Sequence, residues 1–190
     1  MGYSSGKDNL TDLEVDGGTL SVDTAKDSLG INTTTPQATL DVHYTGSGNP
    51  INLVAGLGGG EVVYFGTGST SQGQIHYLNI DGGWELANAN ATGSTGTSGA
   101  GNASLLAIAA GTDPLANGML LRGWMNTAAL AGAWATGSAI YVFSGSVAQA
   151  GLYVTSAPVA SNAYVRVLGY CTNTPNVIYF NPDSTWVEIS

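Results

Sequence analysis

The chain has 190 residues, of which 9% are charged, with 13 acidic against 4 basic side chains and a net charge of −9. Lys7, Lys26, Arg122 and Arg166 form no cluster able to displace counterions from phosphate, which excludes nucleic acid as a partner and disfavours an anionic membrane surface. No run of about 18 apolar residues is present to span a bilayer. The opening MGYSSGKDNL carries neither the apolar core of a secretory leader nor a full myristoylation pattern.

With 28 glycines and 43% hydrophobic residues gathered in short runs, the composition is that of a turn-rich, all-β protein rather than a disordered chain. Residues 1–42 come first. Leu13 and Val15 alternate with acids, Leu20 and Val22 alternate with Ser21 and Asp23, and Gly17-Gly18 lies between the runs at hairpin spacing. An isolated hairpin with so little to bury is marginal. This segment therefore reads as an anchoring or oligomerisation element, with Leu13, Val15, Leu20, Val22, Ile31 and Leu40 as its contact residues. Asp12, Glu14 and Asp16 share one strand face, most simply a solvated one. Repeated around a threefold axis they would form a carboxylate ring, but EF-hand spacing is absent and no metal is assigned.

Residues 43–87 read as a hairpin region with three antiparallel strands in EVVYFG, QIHYLNI and WELA, the last two joined by an Asp81-Gly82-Gly83 turn. Residues 88–102, NANATGSTGTSGAGN, hold no large apolar side chain and read as a linker or exposed loop where domains separate. Residues 103–190 hold seven strand-like runs divided by polar turns, the pattern of a β-barrel or β-sandwich domain. Its expected core is Leu106, Ile108, Leu120, Ile140, Val142, Val154, Val165, Val167, Ile178 and Phe180. One alanine-rich stretch, 126–135, is a candidate short helix. Cys171 has no second cysteine to pair with and reads as a small core or edge residue.

No catalytic constellation emerges. His43 and His76 lie in no zinc motif, there is no GxSxG elbow, and GLGGGEVV lacks the Lys-Ser/Thr of a phosphate loop. Glu61, Asp81 and Glu85 fall in one region, which leaves a polysaccharide depolymerase as a distant alternative. No cofactor is implied. Among the aromatics, Trp84 just after a turn is the best candidate for contact with a glycan. The Asn-x-Ser/Thr matches at Asn9, Asn32, Asn90 and Asn102 are chance in a chain this rich in Asn, Ser and Thr.

LGINTTTPQATLDV, residues 29–42, resembles the GIGTTSP…LDV segment of fibre and appendage proteins of tailed bacteriophages, with Asn32 where the usual form has glycine. Asn is the side chain that best tolerates a left-handed turn. YLNIDGGWELANA, LLAIAAGTDPLANGMLLRG, SAIYVFSG, VRVLGY and IYFNPDSTWVEI, in that order over about residues 74–190, are similar to a C-terminal module of structural proteins of marine tailed phages, cyanophages in particular. The order GLYVTSAP…VRVLGY is also similar to a small β-barrel of capsid-decorating proteins. These resemblances imply a non-enzymatic virion surface protein; the thin apolar faces of residues 1–42 add the expectation of a homotrimer, in contact with the major capsid protein or another particle component. A capsid decoration or short head-fibre protein is the first expectation, since 190 residues leave no room for a long shaft. The alternative is a tail-fibre or appendage subunit that binds host surface glycan.

Overall fold

A computed structural model describes residues 12–15, 20–31, 33–36, 38–42, 58–89, 104–127, 132–145 and 149–190, with backbone alone for 12–15 and 41–42. The protein is all-β, with no α-helix among the described residues. It divides into two compact units, Met1–Asn49 and Pro50–Ser190.

The first unit is a four-stranded sheet in chain order: β1 (Asp12–Val15), β2 (Leu20–Asp23), β3 (Ser28–Ile31) and β4 (Leu40–Val42). The first three strands are antiparallel, as the alternation implies. The β2–β3 turn is fixed by Asp23, whose Oδ1 accepts from the amides of Ala25 (3.0 Å) and Lys26 (3.1 Å). β4 runs parallel to β3, so the chain between them must cross one face of the sheet. It crosses over Gly30, where a Cβ would lie 2.4 Å from the Thr33 carbonyl oxygen. The glycine of the fibre-like motif is thus where the crossover rests on the strand.

The second unit is a curled, barrel-like sheet. Its strands are β5 (Gly58–Val63), β6 (Ile75–Leu78), β7 (Trp84–Leu86), β8 (Leu106–Ala109), β9 (Met119–Asn126), β10 (Ala139–Val142), β11 (Tyr153–Val154), β13 (Gly169–Cys171) and β14 (Val177–Phe180). The order is β11-β10-β13-β14-β9-β8-β6-β7, with β5 also on β9, and β12 (Tyr164–Val165) pairs separately with β15 (Val187–Glu188). The two ends of the curl meet through backbone hydrogen bonds. The Gly151 amide donates to the Ala87 carbonyl at 2.7 Å, the Ile75 amide to Gly151 at 2.9 Å, and the Ala89 amide to Phe143 at 3.1 Å. Inside lie Ile75, Tyr77, Leu106, Ile108, Leu120, Met125, Ile140, Val142, Tyr153, Leu168, Cys171, Ile178 and Phe180.

β9 turns the corner. Its first residues pair with β8 and its last four with β14, while β5 follows its opposite edge throughout. The β5 register shifts between Glu61 and Val62, a bulge of the kind that lets a strand pass from one sheet to another.

Three sequence expectations are corrected here. Residues 58–86 do not form a separate region from 103–190: β5 pairs with β9 and β6 with β8, so one sheet spans the 88–102 stretch, of which 90–102 lie outside the described residues. Low side-chain bulk marks a long connection but not whether strands on either side pair. In the candidate helix 126–135, Asn126 ends a strand and 132–135 are non-helical; 128–131 lie outside the described residues. Val154, Val165 and Val167 are only half-buried. Tyr153 takes the inward position on β11, and the run 164–171 is broken into two strands so that Leu168 and Cys171 face the core instead.

Candidate functional site

Two surfaces stand out, one in each unit. In the first unit, the register aligns two cross-strand rows: Leu13–Val22–Leu29–Leu40 and Val15–Leu20–Ile31–Val42. Residues directly opposite each other share a face, so all eight apolar positions lie on one side of the sheet. The other side receives Asp12, Glu14, Ser21, Asp23, Ser28, Gly30 and Asp41. The polar side is the covered one: Ser21 and Ser28 are buried beneath the crossover, whose own Thr33 is buried against Gly30. On the apolar side Leu20, Val22, Leu29 and Ile31 are only half-buried, and Leu40 is 59% exposed. The side chains of Leu13 and Val15 lie outside the described residues. Leu29 and Val42 join the expected contact set; both could have been found by carrying the period-2 pattern through the motif.

At the polar edge, Lys26, Ser28, Pro36, Ala38 and Thr39 line a shallow cavity of about 280 Å³. Lys26 Nζ lies 3.4 Å from Asp23 Oδ2, so its charge is already matched.

In the second unit Trp84 does not serve as a surface contact. It is 2% exposed, its Nε1 donates to the Phe65 carbonyl at 2.7 Å, and Phe65 packs on it with ring centroids 5.6 Å apart. Ala107 and Ala109 leave room for the indole on the outer side of β8, and residues 64–70 close over it. A turn-adjacent tryptophan looks exposed in sequence; the covering segment is what buries it.

Tyr64 and Phe65, in the segment that covers Trp84, are themselves exposed, as is Trp186, but the exposed aromatics borne on strands lie on the other half of the sheet. The register sets Ala139, Tyr170, Tyr179, Trp124 and Gly59 side by side across β10, β13, β14, β9 and β5. Trp124 is 39% and Tyr170 49% exposed. Trp124 and Tyr179 pack with ring centroids 4.9 Å apart and a 50° tilt. Arg122, next along the same face of β9, hydrogen-bonds the Tyr179 side chain, which raises its pKa; Glu61, its register partner on β5, adds to the rise. Gly59 places no side chain beside the indole.

Two of the residues considered for catalysis, His76 and Glu85, are engaged in structure, whereas Glu61 and Asp81 are exposed. His76 is buried, with Nδ1 3.0 Å from the Gln74 carbonyl and Nε2 accepting from the Ser71 amide at 3.2 Å. This pattern belongs to the neutral ring, and burial lowers its pKa to about 4. Glu85 accepts from Tyr77 Oη at 2.6 Å and from Asn79 Nδ2 at 2.7 Å, while Asn79 Oδ1 accepts from the Asp81 and Gly83 amides and locks the turn. Burial first, then Glu85, raises the Tyr77 pKa. Cys171 is buried in the core, which raises its thiol pKa. His43 lies outside the described residues. Among the described residues no three His, Cys, Asp or Glu gather as a metal site, and no helix is long and apolar enough to cross a membrane.

No family model, no curated protein and no solved structure matches this chain.

Proposed function

We propose that this is a structural protein of a tailed-phage particle, a surface-displayed homotrimer acting as a capsid decoration or short head-fibre protein. The observation that carries the reading is the segregated sheet of the first unit, with eight apolar positions on one side and acids, serines and a glycine on the other. A domain normally closes such a face with a second layer. Sister copies of the same face supply that layer without any charged group to desolvate, and cyclic symmetry pools three thin faces into one core. The two phage resemblances give the assembly its setting.

Seven of the 13 acids fall in residues 1–41, against Lys7 and Lys26. Such a segment suits a basic or neutral polar docking surface, such as the outer side of a major capsid protein. Lack of a nucleophile–base pair in the sequence supports a binding role over an enzymatic one. Deleting residues 1–49 is expected to abolish attachment to particles while unit 50–190 stays folded. Attachment that survives this deletion refutes the reading. A glycan-binding tail appendage is the second reading, favoured by the aromatic row on the second unit.

A further inference from the structure

We infer that the outer face of β9, β13 and β14 is a carbohydrate-binding surface for neutral pyranose glycans, centred on Trp124 and Tyr170. It deepens the second reading above, but it does not require any particular location on a particle.

The two outer faces of the curled sheet are treated differently by the same fold. Over β6, β7 and β8 the chain lays residues 64–73 across the face and buries Trp84 and His76. Over β13, β14 and the end of β9 the aromatic side chains are left in solvent contact, although they are the costliest to leave exposed. Trp124 and Tyr170 flank Tyr179, two strand spacings or about 10 Å apart, a span that a short oligosaccharide covers.

The chemistry selects the ligand. The C–H faces of pyranose rings stack on indole and phenol rings, which present an apolar body and a polar tip. Trp124 and Tyr179 are tilted by 50° to each other, so the surface is not a flat platform and suits a twisted chain rather than a flat crystalline one. Hydroxyl groups of a sugar need donors and acceptors at the rim. Arg122 supplies donors, Glu61 accepts, and Tyr170 can do both. Arg122 and Glu61 offset each other, so the surface has no net charge, and the chain as a whole at −9 repels acidic polysaccharides.

The rings of Trp124 and Tyr179 are held before any ligand arrives. Tyr179 is fixed by Trp124 and Arg122, and the inward neighbours Phe180, Ile178 and Met125 are fully packed. Little side-chain ordering remains to oppose binding.

The test is titration of the full chain with neutral gluco-, manno- and galacto-hexaoses and with polygalacturonate, followed by the indole N–H and amide NMR signals. The expected result is saturable shifts at Trp124, Tyr170 and Gly59 with at least one neutral hexaose and none with polygalacturonate. Trp124→Ala and Tyr170→Ala are expected to weaken binding about tenfold each, equivalent to about 1.4 kcal/mol. Trp124→Phe keeps a ring in place and is expected to retain most of it, which separates ring stacking from loss of fold. No shift with any neutral hexaose overturns the inference. So do shifts that map elsewhere, or concentration-dependent self-association through Trp124 in place of sugar binding. None of these outcomes touches the particle-attachment test, which rests on residues 1–49.

Discussion

Gly60 and Gly123 face each other across the β5–β9 ladder so closely that a Cβ on either would lie 2.7 Å from the other's Cα. Both have positive φ, +150° and +142°. This contact marks the corner at which β9 leaves β8 and joins β14, and it brings Trp124, the next residue, onto the open outer face.

Gly123→Ala is therefore expected to destabilise the protein by at least about 2 kcal/mol, from backbone strain plus overlap with β5. Gly137→Ala is the control. Gly137 also has positive φ, but nothing lies within 4 Å of its Cβ position. Its substitution is expected to cost only about 1 kcal/mol. Urea midpoints of the two variants compare strain with strain plus close approach.

Trp84→Phe removes the hydrogen bond to the Phe65 carbonyl and is expected to cost about 1 kcal/mol. Trp84→Ala also leaves a cavity and is expected to cost about 3–5 kcal/mol. Neither should change surface reactivity of the exposed indoles at Trp124 and Trp186. Thermal melts combined with fluorescence quenching by a water-soluble quencher distinguish this from an exposed Trp84.

His76 gives the protein a pH dependence. Its pKa is about 4 when folded against 6.5 for an ordinary histidine, so the unfolded chain binds the extra proton first as pH falls. Stability is thus expected to fall as pH drops from about 6.5 towards about 4, by roughly 3 kcal/mol in total. The physical event is loss of the Ser71 amide bond to Nε2 once that nitrogen is protonated. His76→Gln is expected to flatten the slope between about pH 7 and about pH 5, above most carboxylate titration. Urea midpoints across that range measure it.

A fragment 103–190 is expected to be unfolded by circular dichroism, whereas 50–190 is expected to fold. The shorter fragment lacks β5, β6 and β7, and with them the strands that pair with β9 and β8 and Ile75 and Tyr77 of the core.

Much of this was legible in the sequence where a strand's own alternation decides its face. Leu13–Val15 and Leu20–Val22 gave their hairpin, and Leu106, Ile108, Ile140, Val142, Ile178 and Phe180 their burial, because period-2 patterns are local. Pairing partners were not legible. Nothing in EVV or in the glycines before it says that β5 crosses to β9, since that choice is made by residues as far along the chain as 119–125. The same gap misplaced the aromatic surface. Trp84 and Trp124 sit in similar local surroundings, and only the path of residues 64–73 buries the first while the register of β9, β13 and β14 lines up the second with two tyrosines.

The central claim is that the apolar side of the N-terminal sheet is closed by sister copies. Sedimentation equilibrium of the full chain, beside Leu29→Asp and fragment 50–190, tests it most directly. Leu29 is the apolar position at the centre of the Leu13–Val22–Leu29–Leu40 row. The account expects a mass three times the 19.2 kDa of one chain for the full protein, and monomers for the variant and the fragment. A folded monomer of the full chain, with β2 and β3 amides protected from hydrogen exchange, would contradict it.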